Sequence, residues 1–127
     1  LNKFAFNNWA SKDNYLKALC LKKERVQDYG IFTIDDNNLV IGFEEKPIKS
    51  ESKIANGAIY LANENFFNYV KKNGIAGNLS NDVIPKIYKY MEIHLFDGQL
   101  FDIGTVEELE LVKEKLKKKE INAWENQ

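Results

Sequence analysis

The segment Gly-Phe-Glu-Glu-Lys-Pro at residues 42–47 combines two acids, a lysine and a proline at the end of a β-forming run. A lysine ammonium neutralises a phosphate, and a carboxylate accepts hydrogen bonds from hydroxyl groups such as those of a sugar. Pro47 has no N–H, so it ends the strand and fixes the direction in which the chain leaves Lys46. The segment therefore predicts a site for phosphate and hydroxyl groups. The alternative is a charged edge that discourages aggregation between sheets.

A second candidate is Asn56-Gly57-Ala58, which interrupts the apolar run at residues 54–61. Glycine inside a strand lowers stability unless another group approaches the backbone closely, and a buried asparagine amide needs hydrogen-bond partners. These residues indicate either a ligand lying against the strand or a β-bulge in which the asparagine is satisfied locally.

Asp102 and Gly30 are the remaining candidates. Asp102 lies between Phe101 and Ile103, and a carboxylate buried among apolar residues needs a cation, a metal or N–H donors. Mg²⁺ beside substrate phosphates is one solution, and hydrogen bonds from nearby backbone N–H groups are the other. Gly30 precedes a β-forming run, where it either lets a ligand lie on the backbone or only permits a bend.

The composition argues against several classes of function. The 127 residues suffice for one ordinary domain, and the net charge of −1 gives no basic excess for nucleic acid. No apolar run approaches the roughly 20 residues of a membrane span. Cys20 is the only cysteine, so it forms no internal disulfide and a reduced, cytoplasmic setting is expected. His94 has no second histidine or cysteine at ligand spacing, and neither a Ser/His/Asp pattern nor a CxxC motif occurs.

These residues must be positioned by alternating strands and helices. Apolar and β-branched runs predict strands at residues 15–21, 31–34, 39–43, 54–61, 93–96 and 100–103. The Asp/Asn run at residues 35–38 predicts a hairpin turn. Apolar spacing and capping residues predict helices at residues 1–10, from an Asn63 cap to Lys72, from an Asp82 cap with Pro85 in the first turn, and from a Thr105–Glu108 capping box. This order of elements predicts one α/β layered structure.

Four segments taken in order resemble one protein family. They are YGIFTIDDNNLVIGFEEKP, IANGAIYL, LSNDVIPKI and LFDGQLFDIGTVEEL, and they span roughly residues 28–112. The chain is similar to the sugar-1-phosphate nucleotidyltransferases, nearest to the mannose- or heptose-1-phosphate guanylyltransferase type. The resemblance implies an α/β, Rossmann-like fold with a mixed sheet flanked by helices. It also implies nucleotidyl transfer from a nucleoside triphosphate to a sugar 1-phosphate, which gives a nucleotide-sugar and pyrophosphate, as in nucleotide-sugar and polysaccharide biosynthesis.

The resemblance implies substrate-binding roles for the candidates on the strands. Gly30 matches the glycine whose backbone lies against the sugar. Glu45 matches the acid that binds sugar hydroxyls, with Glu44 as the alternative equivalent. Asn56 matches an asparagine on the sugar, and Gly57 follows it on the same strand.

The resemblance also implies two catalytic residues, Lys46 and Asp102. Lys46 matches the lysine that contacts the sugar phosphate, and Asp102 matches the second of two aspartates that hold Mg²⁺. Both side chains must then converge on one cleft. One departure from the family pattern is Ala58, which stands where the family has glycine.

The larger departure concerns the nucleotide. The family's glycine-rich triphosphate loop, the lysine after it and the first metal-binding aspartate have no equivalent in these residues. We therefore expect residues 1–127 to be the C-terminal, sugar-phosphate-binding part of one nucleotidyltransferase domain, inactive alone. The nucleoside triphosphate, with GTP favoured, would bind through the missing half. The incomplete sheet would expose apolar surface, to be covered by a missing segment, a partner chain or a homo-oligomer.

Two other functions stay open at this point. One is a non-catalytic regulatory or sugar-sensing domain of the same fold, and the other is an unrelated small α+β interaction domain. The Glu-Lys-Pro and Asp-Ile-Gly-Thr segments favour the enzyme, because a non-catalytic relative has no physical need for a metal-binding aspartate.

Overall fold

The computed structural model describes residue 9, residues 13–37 and residues 39–118. The helix predicted at residues 1–10 lies outside the described residues, apart from Trp9. The chain divides into two compact units, Leu1–Phe96 and Asp97–Gln127, and the prediction that both belong to one domain stays a prediction. Within the described ranges, no helix is long and apolar enough to cross a membrane.

The first unit is built on a five-stranded mixed sheet with the strand order β3-β2-β4-β1-β5. Its strands are β1 (Leu16–Lys22), β2 (Gly30–Ile34), β3 (Val40–Glu45), β4 (Ile54–Ala62) and β5 (Met91–Leu95). Its α-helices are α1 (Glu64–Lys72) and α2 (Ile84–Ile87), and α2 has Pro85 in its first turn as predicted. A π-helical turn (Leu79–Val83) precedes α2 and a 3-10 turn (Tyr88–Tyr90) follows it.

The predicted α/β class with a mixed, helix-flanked sheet is confirmed. Five of the six predicted strands are present, each within two residues of its predicted ends. The pairing of β1 with β5 is parallel, and the pairings of β1 with β4, β2 with β3 and β2 with β4 are antiparallel. Because β2 and β3 are antiparallel, a short hairpin can join them. The hairpin places Gly30 beside the segment at residues 42–47.

One face of the sheet buries the main core. Leu16, Ala18 and Cys20 lie on this face of β1 and are at most 2% exposed. Lys17, Leu19 and Leu21, on the other face, are also buried, as expected for a strand that is covered on both faces. Ile84 and Ile87 lie in the same cluster and are fully buried. Burying a side chain of this size stabilises the fold by about 1.5–3 kcal/mol.

The β2–β3 hairpin closes through side-chain hydrogen bonds in its turn. The Asp35 carboxylate accepts hydrogen bonds from the backbone N–H groups of Asn37 and Leu39, at 2.9 Å each. An aspartate that binds an N–H group two residues further on reproduces a backbone turn, as the Asp/Asn run predicted. The turn sets the register of the hairpin, in which Gly30 pairs with Glu45.

Helix α1 begins at its predicted cap. The Asn63 side chain accepts a hydrogen bond from the Phe66 N–H at 3.3 Å, and its amide donates to the Asn14 carbonyl at 2.9 Å. One residue thus caps the helix and ties it to the segment before β1.

We expect Asn63→Ala to lower the free energy of unfolding by about 1–2 kcal/mol, because it removes a helix cap and the donor to the Asn14 carbonyl. Chemical denaturation measures the difference from wild type. Asn65→Ala, at an exposed position of the same helix, is the matched control and should change the value by less than about 0.5 kcal/mol. Equal losses in the two variants would show that capping is not the cause.

The helical segment after α1 starts differently from the prediction, because Asp82 is not its N-cap. Asn78 caps it, and its side chain accepts hydrogen bonds from the N–H groups of Ser80 and Asn81, at 3.0 Å each. The Asp82 carboxylate in turn accepts from the Asn78 N–H at 2.7 Å. Such a reciprocal arrangement satisfies donors on both sides of the helix start, so the cap lies four residues earlier than predicted.

The second unit has one helix in its described residues, α3 (Val106–Lys117). Thr105 Oγ1 accepts a hydrogen bond from the Glu108 N–H at 3.2 Å, so the predicted cap is confirmed. The strand predicted at residues 100–103 is wrong, since these residues have no regular secondary structure. Lys115 Nζ lies over the Phe101 ring, 5.4 Å from its centroid.

Candidate functional site

Three of the candidate residues lie side by side across the sheet. Gly30 on β2 pairs with Glu45 on β3. Ile31 pairs with Ala55 on β4, and continuing this antiparallel register by one residue places Asn56 opposite Gly30. Residues in one row of a sheet project to the same face, so Glu45 and Asn56 flank Gly30. We call these three residues the Glu45–Gly30–Asn56 row.

Two side chains lie over the backbone of Gly30. A Cβ atom at Gly30 would lie 2.6 Å from Cζ of Phe43 and 2.8 Å from Oε2 of Glu45. Both distances are shorter than van der Waals contact allows. Because Gly30 has no side chain, the Phe43 ring and the Glu45 carboxylate can lie directly over its backbone. The predicted contact of Gly30 with a sugar stays a prediction.

Glu45 has a carboxylate oxygen, Oε2, that is buried and has no hydrogen-bond partner in the described part of the chain. Glu44 is exposed and alternates to the opposite face of the strand. A buried acceptor without a donor costs about 1–3 kcal/mol, and more when it is charged. Oε2 is thus an acceptor available to a donor from outside the described residues, so Glu45 rather than the exposed Glu44 is the candidate for binding a ligand.

Sequence reasoning missed Tyr60, which belongs beside this row. The Asn56 Nδ2 atom donates to the Tyr60 hydroxyl at 2.5 Å, and Asn56 Oδ1 accepts from the Ala58 N–H at 3.0 Å. Burial raises the pKa of Tyr60, its hydrogen bonds with Asn56 and Ser80 oppose the rise, and the Glu45 charge adds to it. The one sequence signal for Tyr60 is its even spacing from Asn56, which places both side chains on one face of a strand.

A bulge in β4 brings Asn56 and Tyr60 together. Two adjacent residues of β1 pair with Asn56 and Ile59, so Gly57 and Ala58 are extra residues on β4. Because a strand rises about 3.3 Å per residue, the bulge shortens the path from Asn56 to Tyr60 by about 7 Å. The β-bulge that the sequence offered as one alternative is therefore present, with the asparagine bonded locally.

Ala58 adopts an unusual backbone conformation within the bulge. Its φ angle of 57° lies in the left-handed region, where a residue with a Cβ atom costs about 1–2 kcal/mol. Glycine adopts this conformation without that cost. The family resemblance leads us to expect glycine at this position, and glycine would avoid the strain. This chain has alanine instead, so the local strain remains.

We expect Ala58→Gly to raise the free energy of unfolding by about 0.5–1 kcal/mol, since relief of the left-handed strain exceeds the added freedom of the unfolded chain. Chemical denaturation measures the change. Ala55→Gly, in the same strand but without a positive φ angle, is the control and should lower the value by about 0.5–1 kcal/mol. If both variants lose stability equally, Ala58 is not strained.

Lys46 lies directly after the row, at the end of β3. Its N–H donates to the Tyr29 carbonyl at 2.9 Å, which extends the β2–β3 ladder by one residue. Its side chain is exposed, and its φ angle of 48° is again left-handed. Lys46 and Ala58 are the two non-glycine residues with positive φ among the described residues, and backbone strain of this kind concentrates at functional sites.

Cys20 lies beside the row and pairs with Asn56. Burial raises the pKa of its thiol to about 12, while a hydrogen bond with the Gly57 backbone opposes the rise. A thiol that stays protonated at neutral pH is a poor nucleophile. Cys20 therefore supports the bulge by packing and by its contact with Gly57.

Asp102 belongs to the second unit and is exposed, so the burial among apolar residues that the sequence suggested for its carboxylate is wrong. Its Oδ1 atom accepts a hydrogen bond from the Gly104 N–H at 3.1 Å. A hydrogen bond from a nearby backbone N–H group is one of the two alternatives that the sequence left open for this carboxylate. Among the described residues there is no group of three or more His, Cys, Asp or Glu side chains that could hold a metal ion. The convergence of Lys46 and Asp102 on one cleft stays a prediction, since the two lie in different units.

The fold agrees with what comparison with known families shows. The family model described as nucleotidyl transferase matches residues 4–119. The chain therefore belongs to the nucleotidyl transferase family, and the resemblance to sugar-1-phosphate nucleotidyltransferases is confirmed at the level of the family.

Individual relatives share about a third of the matched residues. The glucose-1-phosphate adenylyltransferase of Fervidobacterium nodosum is 32% identical over 97 residues, which are 67% of this chain and 23% of that protein. The same enzyme of Thermotoga neapolitana is 31% identical over 103 residues, 74% of this chain and 24% of that protein. The D-glycero-alpha-D-manno-heptose 1-phosphate guanylyltransferase of Campylobacter jejuni is 32% identical over 96 residues, 71% of this chain and 42% of that protein. The chain thus spans between 23% and 42% of the length of these relatives.

Proposed function

We propose that this chain supplies the sugar-phosphate side of an enzyme that transfers a nucleotidyl group from a nucleoside triphosphate to a sugar 1-phosphate. The observation that supports this most directly is the buried Oε2 atom of Glu45, which has no donor among the described residues. A sugar hydroxyl is such a donor. Lys46, the next residue, offers a cation for the phosphate of the same ligand.

In the proposed reaction a phosphate oxygen of the sugar 1-phosphate attacks the α-phosphorus of the triphosphate. A new P–O bond forms there, the bond from the α-phosphorus to the bridging oxygen breaks, and pyrophosphate leaves. Such a transfer needs no covalent enzyme intermediate, so catalysis consists of alignment and charge neutralisation. In this scheme Lys46 neutralises the sugar phosphate, and Glu45 and Asn56 orient the sugar.

Mg²⁺ is the cofactor that we propose. The ion binds through one or two carboxylates together with phosphates and water. Asp102 fits as one of these ligands, because its carboxylate is exposed and the Gly104 N–H is bonded to one of its oxygens, Oδ1. When bound, Mg²⁺ supplies charge neutralisation for the phosphates.

The nucleotide is proposed from the relatives and from the sequence resemblance. The relatives are named for adenylyl and guanylyl transfer, so ATP and GTP are the two candidates, with GTP favoured by the resemblance. We propose that residues outside 1–127 bind the triphosphate and that residues 1–127 alone are inactive. A cytoplasmic location and the cover of the sheet by a partner chain or homo-oligomer stay predictions.

Pyrophosphate release tests the proposed function. The protein, in the full length in which its gene expresses it, is incubated with Mg²⁺, with ATP or GTP, and with glucose, mannose or heptose 1-phosphate. We expect at least one pair to release pyrophosphate well above the rate without sugar phosphate. No release with any pair would contradict the enzyme. Sugar-phosphate binding without release would favour the regulatory or sugar-sensing alternative.

A further inference from the structure

Both amide atoms of Asn56 are held by residues of its own strand. Its Oδ1 atom accepts a hydrogen bond from the Ala58 N–H at 3.0 Å, and its Nδ2 atom lies 2.5 Å from the Tyr60 hydroxyl oxygen. Nδ2 can only donate, so Tyr60 accepts this bond. A flipped amide would set Nδ2 against the Ala58 N–H, with two donors facing each other. The Asn56 amide therefore has one orientation.

Tyr60 connects this amide to the core of the first unit. Its ring packs against the main core cluster, and its neighbour across the sheet, Ala18, is fully buried. A tyrosine has two side-chain torsions, so a packed ring also fixes the position of its hydroxyl. Asn56 is only half-buried, and Ala58 is exposed. The bond to Tyr60 is thus the contact that ties the Asn56 amide to the packed core.

The bulge in β4 is the feature that makes this contact. In a regular strand the Cα atoms of residues four positions apart are separated by about 13 Å, which is too far for Asn56 and Tyr60 to bond. The bulge closes this gap, and it does so with Ala58 in the left-handed region. Backbone strain of this kind persists where the surrounding structure imposes it, most often at functional sites.

We propose that Tyr60 is a positioning residue of the sugar-phosphate site, which acts by holding the Asn56 amide within the Glu45–Gly30–Asn56 row. With its two bonds to Ala58 and Tyr60 made, the amide keeps one N–H and one lone pair of Oδ1 for the ligand. A side chain that is already oriented loses less conformational entropy when a ligand binds. The inference rests on the proposed function, because the ligand that meets Asn56 is the sugar 1-phosphate.

A double-mutant cycle in the full-length protein tests this inference. Calorimetry measures the affinity of wild type, Tyr60→Phe, Asn56→Ala and the double variant for glucose, mannose and heptose 1-phosphate. Tyr60→Phe keeps the ring in the core, and its lost hydroxyl should weaken the tightest of these ligands by about three- to tenfold. Asn56→Ala should weaken it at least as much. In the Asn56→Ala background, Tyr60→Phe should cost less than about twofold, because the amide that it positions is gone.

Steady-state kinetics separates positioning from a general loss of folded protein. In the pyrophosphate assay, Tyr60→Phe should raise KM for the sugar 1-phosphate by the factor found in calorimetry and keep kcat within about twofold. A smaller folded fraction would instead lower kcat and leave KM unchanged. Circular dichroism establishes that each variant is folded, and Asn56→Ser replaces Asn56→Ala in the cycle if the alanine variant is not.

Tyr15→Phe is the matched control. Tyr15 is another half-buried tyrosine, which stacks on Tyr90 and lies beside Asn63 at the other end of the β1–β4 pair. Loss of its hydroxyl should change the affinity by less than about twofold.

The outcomes separate this inference from the proposed function. If Tyr60→Phe costs the same affinity with and without the Asn56 amide, Tyr60 acts by another route and the inference is overturned, while the sugar-phosphate site stands. Unchanged affinity in Tyr60→Phe, or in Asn56→Ala, overturns it as well. If wild type binds none of the three sugar 1-phosphates, the proposed function fails and the inference fails with it.

Discussion

Replacing Lys46 with alanine is expected to lower kcat/KM for the sugar 1-phosphate about a hundred- to a thousandfold, in the range found when one group that stabilises transition-state charge is removed. The physical reason is that Lys46 follows Glu45 directly and extends the β2–β3 ladder through its bond to the Tyr29 carbonyl. The backbone of Lys46 is thereby fixed next to the proposed sugar site. Pyrophosphate release by the full-length protein, measured against sugar-phosphate concentration, gives kcat and KM separately.

Lys49→Ala is the matched control for this experiment. Lys49 is an exposed lysine in the loop that follows Lys46, so its removal changes the net charge equally and should change kcat/KM by less than about twofold. An unchanged kcat/KM in Lys46→Ala would remove Lys46 from its proposed role. Equal losses in both variants would attribute the effect to the general charge of the loop.

Gly30→Ala is expected to have the largest effect on stability, a loss of about 1–3 kcal/mol in the free energy of unfolding. The added Cβ would lie 2.6 Å from the Phe43 ring and 2.8 Å from Glu45 Oε2, and the ring is part of the packed face of the sheet. Displacement of the Glu45 carboxylate should also weaken binding of the sugar 1-phosphate. Chemical denaturation and calorimetry measure the two effects.

The same hairpin offers a control for this prediction. An added Cβ at Gly42 would have Thr33 Cβ as its nearest neighbour, at 3.6 Å, which is ordinary contact. Gly42→Ala should therefore keep the free energy of unfolding within about 0.5 kcal/mol. Phe43→Leu in the Gly30→Ala background should recover part of the loss, because it removes the ring atoms. Equal stability of Gly30→Ala and Gly42→Ala would show that nothing crosses Gly30.

Local features of the fold were predictable from the sequence. The Asp35 turn, the Asn63 cap and the Thr105–Glu108 cap each depend on hydrogen bonds between residues that are at most four positions apart. The residues that make these bonds are also the ones that identify them in the sequence. Strand β1 was equally visible, because residues 15–21 form an almost wholly apolar run of the length of a buried strand.

The failed predictions each involve a competition that local patterns do not decide. Asn78 and Asp82 are both good caps, and their mutual bonding decides in favour of Asn78. Residues 100–103 have β propensity but form no strand, since β propensity expresses packing against neighbours more than backbone preference. Tyr60 looked like an ordinary apolar strand residue because its hydrogen-bond partner is reached only across the bulge.

The sequence by itself determined the family, the kinds of residues at the candidate site and most of the strands and caps that hold them. The tertiary structure decided that Glu45, Gly30 and Asn56 form one row, that Glu45 faces the core side, and that Tyr60 meets Asn56. The physical reason is range. Propensities and caps act over a few residues, whereas strand register and the bulge arise from backbone hydrogen bonds between segments far apart in the chain.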